Sequence, residues 1–377
     1  MSETILQAIR RDGFSFPSLT ARCPELLLLK QVPQNPAYHA EGDVYCHTGM
    51  VCEALVNLPE WQNLSATEQE LLFLAAAFHD IGKISCTKYE DGTLVSPRHT
   101  LVGAKLFQRT AYRETERFLL SFAQREFVTN AIRYHGLPVW FFKKTRPEAE
   151  LLKAAECIPL RLLSLLAKAD ILGRQTTQSD SLMSQVEWFA EYAGELNVLE
   201  HPYPFTNPYT KSCFFLQDDL WQGATLYDST EFDVTLLSGL PLVGKDHWAG
   251  QQKLPVISLD QLREERKLPP TKDSGKIAHL ALTQAKGFLS KKQPFIWNAT
   301  NLLQETRRKL IKLFADYHAR VRILYLEVPY KELLTRNQIR ARHIPENVLE
   351  NMIEKLEIPA PWESYTVEYQ TKNHPPT

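Results

Sequence analysis

The sequence predicts two domains of different class: an N-terminal all-α domain and a C-terminal α/β domain built on a parallel sheet. Three observations carry this reading. Apolar residues recur at helical spacing through the first half of the chain. After Phe232, short β-rich runs alternate with helical stretches, the pattern of a parallel sheet with right-handed crossovers. A G-x-x-x-x-G-K motif begins at Gly239, directly behind the first of those runs. The expected boundaries are 1–199 for the helical domain, 200–231 for a connector and 232–377 for the α/β domain. A length of 377 residues suits two or three domains.

Hydrophobic residues make up 44% and charged residues 23%, ordinary globular composition that excludes a disordered or fibrous chain. The longest apolar run, 26–29, is far short of the ~20 residues of a membrane span. Residues 1–11 mix acid and base early, so no secretory signal and no membrane partner are expected. Six cysteines without a CxxC pair suggest reduced, mostly buried thiols of a cytoplasmic protein. The net charge of −1 is unevenly spread. From Glu231 onward 22 Lys/Arg face 17 Asp/Glu, and the excess concentrates in 305–342, with ten basic and four acidic residues. Such a field favours an anionic ligand, although a solvated helix face carries the same signature.

Along the first half, 68–78, 118–134 and 160–172 are apolar at helical spacing. Gly136, after His135 and before Pro138, marks a helix stop. Between 201 and 231, Pro202, Pro204, Pro208 and many aromatics interrupt the period, as expected of a connector packed on its neighbours. Strands are then expected at 234–237, 256–259, 294–297 and 320–328, with helices at 275–289 and 302–317.

Five of the eleven histidines lie between residues 39 and 135. His79-Asp80 ends an apolar helix, and Asp170 sits inside another, where a carboxylate is costly unless paired or metal-bound. Imidazole and carboxylate together suit a divalent transition metal. His47, His79, Asp80 and Asp170 would supply one site; His99 and His135 would bind a second ion, with Asp80 bridging the two. Two such ions clamp a phosphoryl group during in-line displacement. Lys83, one turn past Asp80, would steady the phosphate. Any of these histidines alone reads more readily as a core or capping residue.

The ordered series His47, His79-Asp80, His99, His135, Asp170 resembles the HD superfamily of metal-dependent phosphohydrolases over roughly 30–190. The opening His39-Ala-Glu41-Gly-Asp-Val-Tyr-Cys-His47 is similar to that of HD domains appended to bacterial tRNA nucleotidyltransferases or fused to polynucleotide kinases. Members of those groups remove 2′,3′-cyclic and 2′- or 3′-phosphates from nucleotide ends. The resemblance implies an HD-type fold and His47, His79, Asp80 and Asp170 as ligands. It implies His99 and His135 as completing a second site, the ions being Mn, Mg or another transition metal. His39 and Glu41 match the motif, His39 as either a support for the ligands or a structural residue.

In the second half, Gly239, Gly244 and Lys245 form a phosphate loop between a strand and a helix. Its glycines let backbone N–H groups wrap phosphates, and Lys245 would reach the β/γ-phosphates of ATP with its Mg. Asp246 stands where the motif usually has Ser or Thr; a carboxylate also holds Mg. His247 beside it has no such role. Asp260 ends the next strand, one helical turn before Arg263. It would take the proton of an attacking hydroxyl, or simply cap a helix. Arg336, Arg340 and Arg342 lie further on, the first two four apart on one face, as a lid over ATP or a solvated basic surface.

The order P-loop, D-x-x-R, N-A-T-N at Asn298–Asn301, then R-x-x-x-R resembles the P-loop polynucleotide 5′-kinases of the phage RNA-repair type over about 232–365. It implies Lys245 on the phosphates, Asp260 as general base, Arg263 near the acceptor 5′-OH, and Arg336 and Arg340 as lid residues. Both halves together resemble a bifunctional end-healing enzyme acting on nucleic-acid ends, RNA rather than DNA, that hands its product to a ligase. Two other readings stay open: a small-nucleotide phosphohydrolase fused to a metabolite kinase, and a nucleotide sensor with a degenerate P-loop.

Overall fold

The computed structural model describes residues 3–36, 39–267, 274–340 and 343–372, and divides the chain into two compact units at Tyr203/Pro204. Arg342 lies outside the described residues.

The first unit is helical. Its central helix, Ala66–Phe78, opens with a capping box in which Ser65 and Glu68 satisfy each other's backbone N–H groups. From Leu71 to Phe78 every side chain is buried, so neighbours surround this helix on all sides. Helices Val44–Val56, Phe122–Tyr134 and Leu160–Leu172 pack on it, and His99–Arg113 packs on Phe122–Tyr134. Phe78, Phe107 and Phe118 form an edge-to-face aromatic cluster in the core. Burial of each such ring stabilises the fold by roughly 1.5–3 kcal/mol.

Two features depart from the expected helical run. The helix expected at 118–134 is broken: Leu119 adopts φ 48°, and the helix restarts at Phe122 behind a Ser121–Gln124 capping box. A small antiparallel hairpin, β1 (Lys88–Glu90) with β2 (Thr93–Val95), interrupts the all-α pattern.

The second unit is an α/β fold around a five-stranded parallel sheet. Its strands are β3 (Phe232–Ser238), β4 (Val256–Ser258), β5 (Phe295–Asn298), β6 (Ala319–Glu327) and β7 (Thr366–Thr371), in spatial order β4-β5-β3-β6-β7. β3 and β5 are apolar and buried almost throughout because helices cover both faces. β7 is an added edge strand, mostly exposed. The helix expected at 302–317 is shorter, Gln304–Ala315.

Residues 204–231, expected within a connector, belong to the second unit. Helix Pro208–Leu216 starts at an Asn207 cap, Phe215 meets Trp362, and Tyr365 Oη donates to Asp228 at 2.8 Å. All six cysteines are free thiols; Cys23, Cys52 and Cys213 are buried and Cys46 is exposed. Among the described residues, no helix is long and apolar enough to cross a membrane.

Candidate metal centre and phosphate loop

Helix ends bring the predicted ligands together. His47 lies on the buried face of Val44–Val56, and Asp170 in the last turn of Leu160–Leu172. His79-Asp80 follows Ala66–Phe78, His99 opens His99–Arg113, and His135 follows Phe122–Tyr134. All are buried except His99, whose side chain is 25% exposed.

One local device aims three of the rings. Nδ1 of His79, His99 and His135 donates to the carbonyl three residues back, on Ala76, Ser96 and Ile132, at 2.7–2.8 Å. A carbonyl only accepts, so Nδ1 carries the proton, and the neutral tautomer of such a ring leaves the lone pair on Nε2. Burial lowers the His99 pKa and pushes His135 down to about 3, which keeps both rings neutral.

Those lone pairs converge on Asp80. Its Oδ2 is 3.2 Å from His79 Nε2 and 3.7 Å from His47 Nε2; its Oδ1 is 3.3 Å from His99 Nε2 and 3.9 Å from His135 Nε2. On the other side, Asp170 Oδ1 lies 3.0 Å from His47 Nε2 and 3.8 Å from His79 Nε2. The donor atoms of His47, His79 and Asp170 lie within 4.8 Å of one another, as do those of His79, Asp80 and His135. His79 Nε2 is buried without a hydrogen-bond partner. The Nε2 lone pairs of His79, His99 and His135 facing an ionised Asp80 repel it unless a cation stands between them, so this donor set fits a metal.

Both carboxylates are held ionised. Burial alone would raise their pKa values, but Lys83, 2.7 Å from Asp80, and Arg174, paired with Asp170, keep each well below the usual carboxylate range. Lys83 also donates to Gln34 at 2.9 Å. It is thus seated on the Asp80 carboxylate. Both cations line a cavity of about 510 Å³ together with Asp80, His99, His135 and Asp170.

His47 is held differently. Its Nδ1 lies 3.0 Å from Glu41 Oε1 and 3.2 Å from the Gly173 carbonyl. Burial opposes a charge on His47, yet its bonds to Asp170 and Glu41 hold its pKa above the ordinary value. Glu41 also accepts from His39 Nδ1 at 2.7 Å and from the Gln175 amide at 2.9 Å. Its burial is outweighed by these bonds, which bring its carboxyl down to about 2. His39 thus buttresses Glu41, and Glu41 orients His47. Gln34 and Arg174 escaped the sequence reading. Only the four-residue spacing of Asp170 and Arg174, which lies just past the end of helix Leu160–Leu172, hinted at the second.

Gly82 sets how closely the turn after Asp80 packs on the helix that His99 opens. A Cβ there would stand 2.1 Å from the His99 carbonyl oxygen and 2.5 Å from the Gly103 amide nitrogen. Only glycine lets the turn after Asp80 press so closely on His99–Arg113.

In the second unit, the predicted phosphate loop runs from the C-terminal end of β3 into helix Lys245–Gly250. Gly239 has φ 139°, and a Cβ there would lie 2.4 Å from the Leu326 carbonyl oxygen; Gly244 has φ 103°. Lys245 is folded back on its own loop, donating to the carbonyls of Gly239 at 2.9 Å and Leu240 at 2.5 Å. Burial pushes its pKa down to about 8, against the pull of Asp246 and Asp260. Asn298, at the end of β5, donates to Asp246 at 2.7 Å. His247 is exposed and accepts from Gln251 one turn on, leaving the loop to Lys245 and Asp246.

Asp260 lies exposed in the first turn of Leu259–Glu265, behind β4, with Arg263 one turn further on. Arg336 reaches the loop, Nη1 donating to the Leu242 carbonyl at 2.7 Å and Nη2 to Glu332 at 2.6 Å. Arg340 does not share its helical face: helix Tyr330–Ile339 has ended, and Arg340 is an extended, exposed C-cap.

Residues 44–167 match the family model for the HD domain, and residues 234–359 that for an AAA domain. The L-seryl-tRNA(Sec) kinase of Methanococcus maripaludis is 30% identical over 135 residues, covering 33% of this chain and 52% of that relative. The chain thus spans about half the length of the curated relative it matches. The first unit contains a helical HD domain, and the second is an α/β domain of P-loop kinase type on a five-stranded parallel sheet.

Proposed function

We propose that this chain heals broken RNA ends, its HD domain removing 2′,3′-cyclic or 2′/3′-phosphates and its P-loop domain phosphorylating 5′-hydroxyls with ATP. The observation that carries the hydrolase half is Asp80, whose two oxygens face two different sets of imidazole lone pairs. Divalent cations held by His47, His79, Asp80 and Asp170, and by Asp80, His99 and His135, would activate water at neutral pH and neutralise phosphoryl charge.

The chain's own groups do the rest. The carbonyl-anchored imidazoles keep Nε2 aimed inward. Arg174 and Lys83 offer cationic hydrogen bonds to phosphate oxygens entering the cavity. In the kinase half, Lys245 exchanges the loop carbonyls for ATP phosphates, and Asp246, steadied by Asn298, takes the Mg-facing role of the usual hydroxyl residue. Asp260, acting on Lys245 from the first turn of the helix behind β4, would accept the proton of the attacking hydroxyl, with Arg263 gripping the acceptor.

An RNA-borne acceptor is supported by the relative named as a kinase of seryl-tRNA. One observation favours a second reading, a small phosphorylated metabolite as substrate. Much of the basic excess of 305–342 is paired internally: Arg307 with Glu363, Lys309 with Glu305, Arg322 with Glu368 and Arg336 with Glu332. The deciding experiment is an end-labelled RNA carrying a 2′,3′-cyclic phosphate and a 5′-OH, incubated with Mn²⁺ or Mg²⁺ and ATP. Both termini should be processed, and excess mononucleotide should compete poorly. If mononucleotides are consumed and the RNA is left intact, the metabolite reading holds instead.

A further inference from the structure

We propose that Trp140 is the platform on which the HD site stacks the base of its substrate's terminal nucleotide, so that this half reads a nucleoside and not merely a phosphate ester. The inference rests on the hydrolase reading above and deepens it.

Trp140 lines the same 510 Å³ cavity as Asp80, His99 and His135, yet it is 44% exposed. A half-exposed indole on the wall of a charged cavity is not part of the core. Its backbone is held firmly. It ends the short helix Leu137–Trp140, whose other three residues are buried, and this helix follows His135 by a single residue, Gly136. The segment that fixes a candidate ligand therefore also fixes the indole, and the Trp140 amide donates to the Gly136 carbonyl at 3.1 Å.

The charge around the ring suits a nucleotide. Lys143 Nζ sits over the Trp140 ring, 4.5 Å from its centroid, a cation–π contact that takes one face of the indole and brings positive charge to the platform. Deeper in the cavity lie Lys83 and Arg174, cations for the phosphate. Thr93, Leu94 and Val95 of the β-hairpin line the cavity as well, so an apolar surface is available for a planar group. The cavity volume lies in the range of small-molecule sites and accommodates one nucleotide end. Aromatic stacking tolerates any base, which suits a site that must accept whatever nucleotide ends a broken strand.

The test uses the full-length protein and a pair of substrates: adenosine 2′,3′-cyclic phosphate and the same cyclic phosphate on 1-O-methylribose, which lacks the base. Wild type should prefer the first by at least about tenfold in kcat/KM, carried by KM, the effect of one stacked base. Trp140→Ala should collapse that ratio toward one, and Trp140→Phe should restore most of it. A ratio that survives Trp140→Ala overturns the inference while leaving the hydrolase reading intact. In parallel, adenosine 3′-monophosphate should quench tryptophan fluorescence in wild type but not in Trp140→Phe, and ribose phosphate should quench neither. Should no ester be hydrolysed while that quench remains, the base platform stands and the hydrolase reading fails. Absence of both removes the two together.

Discussion

Oδ1 of Asp80 lies 3.3 Å from Nε2 of His99, while the other oxygen of the same carboxylate meets Lys83 at 2.7 Å. Because that second oxygen also faces His79 Nε2 at 3.2 Å, one residue joins the two halves of the candidate metal centre, and its loss should disable both. Asp80→Ala is expected to drop phosphate release from a 2′,3′-cyclic end to background and to spare transfer of phosphate to a 5′-OH oligonucleotide. Lys245→Ala should do the reverse. Analysing both RNA termini with each variant checks this; a folded variant losing both activities at once contradicts independent sites.

Glu41 acts through His47, accepting from its Nδ1 at 3.0 Å while His39 and Gln175 hold the carboxylate in place. Removing a carboxylate that orients a metal-binding imidazole typically weakens metal affinity about 10–100-fold. Glu41→Gln should fall in that range when Mn²⁺ binding is titrated directly. His39→Ala should weaken binding less, because Gln175 continues to hold Glu41.

Gly82 faces the His99 carbonyl so closely that any Cβ must displace backbone. Overpacking of this kind costs typically about 1–3 kcal/mol. Gly82→Ala should lower the urea midpoint by a matching amount and weaken metal binding, since it drives His99 away from Asp80. Unchanged stability together with unchanged affinity would mean that the turn relaxes freely.

Lys245 carries a pH signature. Burial on the loop carbonyls lowers its pKa to about 8, so the ammonium is partly deprotonated at mildly alkaline pH. ATP phosphates stabilise the charged form and raise the pKa again. Binding should therefore take up a proton, about half an equivalent at pH 8, less at pH 7 and more toward pH 9. Calorimetry in two buffers of different ionisation enthalpy reads the uptake directly. Lys245→Arg, whose guanidinium stays charged throughout, should abolish it; a wild-type heat independent of buffer would refute it.

The parts legible in the sequence were those where chemistry restricts residue type. Metal ligation needs imidazole and carboxylate, and phosphate loops need glycine where φ is positive, so His47, His79, Asp80, Asp170, Gly239 and Gly244 stood out. Supporting residues were harder to see. Gln34 and Arg174 become meaningful only once folding brings them to Lys83 and Asp170, because any polar residue would satisfy a local pattern. The strands of the β-hairpin are three residues each and exposed or part-exposed, too short for a period to register. β7 escaped because an edge strand buries little and shows no apolar face. The break at Leu119 did leave a trace in the Ser121–Gln124 capping box, which a reading by apolar spacing alone passes over.

Charge was the least transparent signal, and Arg307 shows why. It contributes to the basic excess of 305–342, yet it is fully buried, bonded to Glu363 at 2.7 and 2.8 Å and to the carbonyls of Asn301, Leu302 and Glu357. Its role is to tie the chain around 357–363 to the start of helix Gln304–Ala315, so it is barred from any phosphate. Removing one partner of such a pair leaves a buried charge uncompensated and costs about 3–5 kcal/mol, whereas replacing both with apolar residues of similar volume is often neutral. Arg307→Met should therefore destabilise the protein strongly, and adding Glu363→Met should recover much of the loss. Denaturant titrations of the single and double variants decide the point. If Arg307→Met instead weakened RNA binding at unchanged stability, Arg307 would have to face the substrate.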